Sequence, residues 1–286
     1  MGRRMGDRKD GRLLRELDSL HFITPILYPN RCDNEAFISE RIDLTKTIEY
    51  INRRNAENPE YSYKLFQVIL TAVLKTITLR PKLNRFIANS NFYQRNSLSA
   101  SFVVKKEFDD DGGEALAFLY AESSDTLDTV HDKIFRQISD CRSDKVDGST
   151  AAMDIFNKMP RFLSKAIVKF ICFLDRHGWV PSSLIASDPY YSSVVLSNLG
   201  SIKLHSAYHH LTNWGTNSLF VAIGEEKKRP FFEDDGTFTM RESIDLGLTI
   251  DERLADGYYY SKTVKLLKML IENPELLEEP MDKYPE

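Results

Sequence analysis

The chain has 286 residues, of which 42% are hydrophobic and 28% are charged, as in an ordinary folded globular protein. This composition argues against a disordered chain, a collagen-like repeat and a coiled coil, and the length fits one large domain or two ordinary ones. The formal net charge of −4 is too nearly balanced for a protein that binds nucleic acid through its overall charge. We therefore expect no nucleic-acid partner.

Three features of the sequence concern location and metal binding. No segment carries the roughly 18 to 20 apolar residues of a membrane-spanning helix. Residues 1–20 are basic but lack the apolar core of a signal peptide. The cysteines at positions 32, 141 and 172 are odd in number and widely spaced, unlike the ligands of a metal site. We expect a cytoplasmic protein with reduced cysteines and no metal cofactor.

Hydrophobic periodicity predicts a mixed α/β protein with alternating strands and helices. The predicted elements are strands at His21–Tyr28 and Ala36–Leu44, helices at Thr45–Asn55 and Tyr63–Leu79, strands at Leu98–Phe108 and Glu114–Ala121 joined by a turn at Asp109–Gly113, a helix from Ser124, a polar loop at Arg142–Thr150, a helix at Met153–Arg176, strands at Val194–Leu196, Leu219–Ile223 and Phe238–Ile250, and a helix at Asp256–Glu272. Val194–Leu196 and Leu219–Ile223 lack polar alternation, which is typical of buried central strands. We find no internal repeat or convincing linker and expect one domain over residues 1–286, with an acidic tail at 273–286.

Common catalytic motifs are missing, including a phosphate-binding loop, GxGxxG, HExxH, paired CxxC and GxSxG. Three polar clusters remain at the ends of hydrophobic strands: Ser197-Asn198-Leu199-Gly200, His205–His210 and Asp251–Gly257. Taken singly, the first cluster is explained by a turn, and the second by surface histidines that lack a fitting carboxylate or thiolate for a metal. The third is explained by a charged helix cap. None of the three supports a function alone.

In this order and spacing, the clusters resemble the superfamily of chloramphenicol acetyltransferase and dihydrolipoyl acyltransferase catalytic domains. The Ser-Asn-Leu-Gly and Asp-x-Arg-x-x-Asp-Gly blocks are quite specific as a pair, and the resemblance extends from about Phe22 to Leu277. Its other parts are Ser39–Leu44, Tyr63–Leu79, Arg80–Arg85 and Leu219–Gly224. More narrowly, the chain is similar to short stand-alone bacterial proteins labelled as 2-oxo acid dehydrogenase acyltransferase subunits.

The resemblance implies a two-layer α/β sandwich with a mixed β-sheet, assembled as a homotrimer with active sites between subunits. It implies acyl-CoA as co-substrate and a small-molecule thiol or hydroxyl acceptor. In such enzymes a histidine in His-x-x-x-Asp-Gly removes the acceptor proton, the aspartate holds the local structure through an arginine, and a serine donates to the oxyanion. Ser197, Asp256 and Gly257 match these positions, and Arg31 and Arg253 are both candidates for the partner of Asp256.

The catalytic histidine is absent, since Glu252 occupies its position and no histidine of the chain has aspartate four residues later. Three interpretations follow. In the first, Glu252 is itself the base. A free carboxyl group has a pKa near 4.3, so it matches a thiol with a pKa near 8.5 only when burial raises the carboxyl pKa. Alternatively, His209 or His210 supplies the base, or the fold survives as a catalytically inactive module that binds CoA or a protein.

Two further segments need an interpretation. Ser143-Asp144-Lys145-Val146 resembles the lysine turn of a lipoyl domain, but predicted helices flank it too closely for such a domain, so we expect no lipoyl attachment. The apolar helix within residues 151–180 departs from the family pattern. We expect it to be buried in the fold or the oligomer, and consider membrane contact the less favoured alternative.

Overall fold

The computed structural model describes residues 4–105, 114–142, 158–186 and 188–285. The helices are α1 (Ser19–Leu27), α2 (Thr45–Ala56), α3 (Leu65–Leu79), α4 (Leu127–Arg142), α5 (Arg161–Arg176), α6 (Ser182–Ile185) and α7 (Gly257–Glu272). The strands are β1 (Gly11–Leu13), β2 (Glu35–Asp43), β3 (Arg85–Ala88), β4 (Asn91–Arg95), β5 (Leu98–Lys105), β6 (Glu114–Ala121), β7 (Val194–Asn198), β8 (Leu219–Ile223), β9 (Lys227–Phe232) and β10 (Phe238–Asp251). Short 3₁₀ turns follow several of them.

A seven-stranded mixed sheet forms one layer. Its order is β2-β10-β8-β7-β5-β6, and β9 pairs with the first half of β10. Strand β7 runs parallel to both β5 and β8, whereas the other pairs are antiparallel. Helices α2, α3, α4 and α7 form the second layer and share one continuous apolar core with the sheet. This arrangement confirms the predicted α/β two-layer sandwich.

The central strands divide their side chains between two faces, as pleating requires. Val194 and Leu196 of β7 lie in the main core beneath the helices. Val195 instead lies on the opposite face, where it packs with Phe220 of β8 and with Leu211. Residues 204–217 cross this opposite face, so the segment His205–His210 lies on the same side of the sheet as Val195 and Phe220.

Three strands that the periodicity does not predict form a separate antiparallel sheet in the order β1-β4-β3. A tight turn joins β3 to β4, and its central residues Asn89 and Ser90 both have positive φ. The buried side chains Ile87 and Phe92 pack against Leu254, which immediately follows the Asp251-Glu252-Arg253 segment. The small sheet therefore supports the turn that carries Glu252.

Two predictions are wrong at the level of single elements. His21–Tyr28 is not a strand, because Asp18 caps a helix there by accepting from the amides of Leu20 and His21. The helix predicted at Met153–Arg176 is not continuous, because Lys158–Pro160 is not helical and the helix that the structure describes is Arg161–Arg176.

Most other predicted elements are confirmed with boundary shifts of a few residues. The strand predicted at Leu98–Phe108 ends at Lys105 within the described ranges. The turn at Asp109–Gly113, the polar residues 143–150 and residues 153–157 lie outside the described residues. Among the helices that are described, none is both long and apolar enough to cross a membrane.

Candidate active site

Ser197 lies at the carboxyl end of β7, next to Ala222 of β8 in a parallel register. Its side chain shares the face of Val195 rather than that of the core, and it is half-buried. No partner for its hydroxyl is found among the described residues. Asn198 then caps the 3₁₀ turn Leu199–Ile202 by accepting from the amide of Ser201 at 3.3 Å. The hydroxyl at 197 is thus positioned by a strand end and has no partner within the described residues.

Close backbone approaches explain three glycines around Ser197. A Cβ at Gly200 would lie 2.6 Å from the carbonyl oxygen of Gly224, and one at Gly224 would lie 2.6 Å from the amide of Ser206. A Cβ at Gly247 would contact the carbonyl of Ala207. Only glycine allows these chain segments to pass so closely. The Ser-Asn-Leu-Gly turn and the segment after it are therefore packed directly on β8 and β10.

Glu252 follows β10 and opens a 3₁₀ turn, Glu252–Leu254. Its amide donates to the carbonyl of Asn34 at 3.0 Å, so its backbone is fixed to the start of β2. Its side chain is exposed. It lines an open groove between the β2 edge of the sheet and α7, together with Asp256 and Tyr260.

Asp251 is the structural centre of this turn and is completely buried. It accepts from Arg253 Nε at 2.8 Å and from a terminal nitrogen of Arg253 at 2.6 Å. Arg31, also buried, lies with its Nε 3.8 Å from the same carboxylate. The Tyr260 hydroxyl donates to the Asp251 carbonyl at 2.8 Å. Two arginines and one tyrosine thus hold the residue that precedes Glu252.

Both arginines are therefore engaged by Asp251, and neither holds Asp256. The expectation that Arg31 or Arg253 pairs with Asp256 is wrong in this structure, because Asp251 is the buried carboxylate within their reach. Arg31 donates further hydrogen bonds to the carbonyls of Thr212 and Gly215, at 2.6 and 3.2 Å. The sequence signal that could have identified Asp251 is its position at the end of the apolar run Leu246–Ile250.

Asp256 caps the N-terminus of α7. Its side chain accepts from the amide of Tyr259 at 2.7 Å, and this hydrogen bond lowers the pKa of the exposed carboxyl group. A carboxylate is favoured here because it also faces the positive end of the helix dipole. Asp256 therefore fixes the start of the helix beside the groove.

His209 and His210 lie in the exposed segment that crosses the second face of the sheet. The ring of His209 stacks on Phe220 with centroids 4.3 Å apart, and on His210 at 4.7 Å. Phe220 pairs with Val195, two residues before Ser197. The histidines are therefore on the same face of the same chain as Ser197, over the neighbouring strand.

Ser197 and Glu252 are not brought together within one chain. Ser197 is next to Ala222, which is next to Gly247 on β10, and Glu252 comes five residues after Gly247. At about 3.3 Å per residue along a strand and about 4.8 Å between strands, their main chains are roughly 15–20 Å apart. One bound carbonyl group cannot contact both side chains of a single copy.

Within the described ranges, no group of three or more histidine, cysteine, aspartate or glutamate side chains is arranged to hold a metal ion.

Residues 182–278 match the family model described as 2-oxoacid dehydrogenases acyltransferase (catalytic domain). A probable dihydrolipoamide acetyltransferase from Listeria monocytogenes has a TM-score of 0.60 and 14% identity, over 92% of this chain and 95% of that one. A chloramphenicol acetyltransferase has a TM-score of 0.58 and 13% identity, over 91% of this chain and 99% of that one. No curated protein sequence matches the chain.

A dihydrolipoamide acetyltransferase from Azotobacter vinelandii is also similar, with a TM-score of 0.61 and 15% identity over 92% of this chain and 93% of that one. Its structure was determined to study the catalytic roles of a serine, a histidine and an asparagine, the last two being four residues apart. Together, the matches confirm the resemblance that the motifs indicate, and the chain has the fold of these acyltransferase catalytic domains. The structural similarity itself establishes the fold.

Proposed function

We propose that the protein transfers an acyl group from acyl-CoA to a small thiol or hydroxyl acceptor, in sites formed between the copies of a homotrimer. Ser197 of one copy would donate to the oxyanion, and Glu252 of a neighbouring copy would be the general base. The observation that carries this proposal is that the strand-end hydroxyl of Ser197 and the turn that carries Glu252 lie at opposite ends of one sheet. Each copy offers one half of a site.

Two similarities to the Azotobacter vinelandii enzyme support the proposal: a serine in the site, and two site positions that are four residues apart. The Azotobacter vinelandii enzyme was studied for a catalytic serine, histidine and asparagine, of which the last two have the same spacing as Glu252 and Asp256. In this chain both positions are carboxylates, and the first is the base candidate. The contacts of Asp251 with Arg253 and Arg31 fix the turn that carries Glu252, which sets the point at which its side chain leaves the main chain.

The proposed reaction proceeds through a tetrahedral intermediate. The Glu252 carboxylate accepts the proton of the acceptor X–H while X attacks the thioester carbonyl carbon. The carbonyl oxygen becomes an oxyanion that accepts a hydrogen bond from the Ser197 hydroxyl. The carbon–sulfur bond then breaks, the proton passes from Glu252 to the departing CoA thiolate, and acyl-X and CoA–SH are released.

The test is CoA release from acetyl-CoA with small thiol and alcohol acceptors. We expect Glu252→Gln to lower kcat by about 10²–10⁴, as the loss of a general base typically does. Glu252→His would place an imidazole at this position, so we expect it to retain turnover, with a rate that rises as that imidazole loses its proton. Glu233→Gln, at an exposed carboxylate on the hairpin after β9, is the matched control and should leave the rate unchanged.

The histidines offer a competing base, which the same assay distinguishes. If His209→Ala or His210→Ala lowers kcat as strongly while Glu252→Gln does not, the base is in the segment that crosses β8 and the role proposed for Glu252 is wrong.

A second candidate function is CoA binding without catalysis. The exposure of Glu252 favours it, because a carboxylate in contact with water is a weak base for a thiol. Calorimetric titration with CoA, run beside the turnover assay, separates the two functions. Stoichiometric binding without any CoA release would support the inactive homologue and contradict the acyltransferase.

A further inference from the structure

Helix α5 presents an exposed surface on which aromatic and cationic side chains lie side by side. Phe162 and Phe170 are 76% and 61% exposed, and Phe173 is 47% exposed. At 100° per residue, these three project within one narrow sector of the helix. The adjacent sector carries four exposed cations, which together with the three phenylalanines form what we call the α5 outer face: Arg161, Lys165, Lys169 and Arg176.

The inner side of α5 is anchored to the rest of the chain at its C-terminal end. Asp175 is buried, lies 3.4 Å from a terminal nitrogen of Arg8, and accepts from the Tyr191 hydroxyl at 2.6 Å. It is the only acidic residue of the helix, and it faces inward. The half-buried Ile167 and Ile171 lie on the same side. The helix is therefore held in an orientation that leaves only cations and apolar groups on its outer face.

No acidic partner is found for these four cations within the described part of the chain. Arg161, Lys165 and Lys169 follow one another at intervals of four residues, a spacing at which like charges repel on a helix. Sequence analysis predicts that this helix is buried, but in this structure its outer face is exposed. A partner surface that is negatively charged outside and apolar beneath would neutralise the cations and bury the exposed phenylalanines.

A comparison with α1, another helix with an exposed apolar face, shows why the charges matter. It too exposes large apolar side chains, including Phe22 and Leu27, but it contains no arginine or lysine. A cation-free apolar face suits another protein surface, such as a second copy. The α5 outer face instead has the composition of helices that lie in the plane of a membrane, with phenylalanine on one side and lysine or arginine on the other.

We propose that the α5 outer face binds the surface of an anionic lipid bilayer, its phenylalanines entering the acyl boundary and its cations contacting phosphate headgroups. Trp179, 59% exposed just beyond the helix, packs on Phe173 and His177 and lies at the same edge. Tryptophan is favoured at the boundary between lipid and water. This binding is independent of the proposed acyl transfer.

Vesicle flotation tests the inference with the full chain. We expect wild-type protein to float with vesicles of phosphatidylcholine containing about 30% phosphatidylglycerol, and less as salt rises, because each surface cation is attracted to the anionic leaflet. Lys165→Gln/Lys169→Gln should lower the partition coefficient about 25-fold, or about fivefold for each cation. Phe162→Ser/Phe170→Ser should abolish flotation.

Two matched controls separate this surface from general charge and hydrophobicity. Lys227→Gln/Lys228→Gln removes two exposed cations from β9, and Phe22→Ser/Leu27→Ser removes exposed apolar groups from α1. Both should float like wild type. In the Trp214→Phe variant, the emission of Trp179 should shift to shorter wavelength when anionic vesicles are added.

Three results would overturn the inference. The wild-type protein could remain at the bottom with the anionic vesicles at low salt, or either control pair could lose as much binding as the α5 variants. Alternatively, sedimentation could show that Phe162→Ser/Phe170→Ser dissociates an oligomer, while the wild-type protein does not bind the vesicles. The last result would assign the α5 outer face to a second copy.

Discussion

At the scale of single residues, Asp251 holds the candidate base in place. Its buried carboxylate is the counter-charge for Arg253 and for the nearby Arg31, both of which are also buried. The sequence identifies the segment Asp251–Gly257 as part of the site, but it assigns the site roles to Glu252 and Asp256 and not to Asp251. The difference lies in burial, which sequence spacing does not reveal: Asp251 is in the interior, whereas Glu252 and Asp256 are exposed.

We predict that Asp251→Asn is severely destabilising and that Asp256→Asn is not. Removing the charge of Asp251 leaves the buried Arg253 without its partner, which typically costs about 3–5 kcal/mol in the free energy of unfolding. Asparagine caps a helix about as well as aspartate, so Asp256→Asn should change stability by less than about 0.5 kcal/mol. Urea unfolding of both variants measures this difference. Equal stabilities would contradict the structural role of Asp251.

At the scale of elements, the sequence predicts those helices and strands that have a clear hydrophobic periodicity or are buried in the core. The apolar strands β7 and β8 and the amphipathic helices α3 and α7 are recognised because most of their contacts are with the core. Strand β9 is missed because it contains Pro230 and pairs only with β10. Helix α1 is mistaken for a strand because its residues are rich in isoleucine, threonine and aromatic types, while its cap lies outside the apolar segment at Asp18.

The glycines of the site provide a prediction at this scale. Gly247→Ala would force a Cβ against the Ala207 carbonyl, so we expect a loss of about 1–3 kcal/mol of stability, as for other overpacked positions. A Cβ at Gly257 would meet no atom within 4 Å in one chain, so Gly257→Ala should be neutral or stabilising by up to about 1 kcal/mol.

The two alanine variants should also differ in activity. Thermal unfolding measures the stability difference, and CoA release measures the consequence for function. A folded, stable Gly257→Ala variant that loses activity would indicate that a substrate or a second copy approaches α7 at that position. Gly257→Ala as unstable as Gly247→Ala would contradict the open space beside Gly257.

At the scale of the whole molecule, the sequence predicts the layered fold but not the geometry of the site. Ser197–Gly200 and Asp251–Gly257 are correctly placed at strand ends, because hydrophobic runs define where the strands stop, whereas His205–His210 lies in the segment between β7 and β8 and not at a strand end. Which strand ends meet depends on the direction and register of β7, β8 and β10, and these come from long-range pairing. That pairing puts Ser197 and Glu252 at opposite ends of one sheet, so the proposed reaction requires two chains.

Subunit mixing tests this requirement. If Ser197 of one copy works with Glu252 of the next, the Ser197→Ala and Glu252→Gln variants are each inactive alone, but a mixed trimer contains interfaces with both intact residues. With random exchange in equal amounts, about a quarter of the interfaces of a cyclic oligomer have the correct pair. We therefore expect CoA release to recover to about a quarter of the wild-type rate after the variants are denatured and refolded together. No recovery, with light scattering showing a trimer, would mean that both residues act within one chain or that one of them is not catalytic. The Ser197→Ala variant, denatured and refolded alone, provides the matched comparison, since every interface of that oligomer lacks one of the two residues.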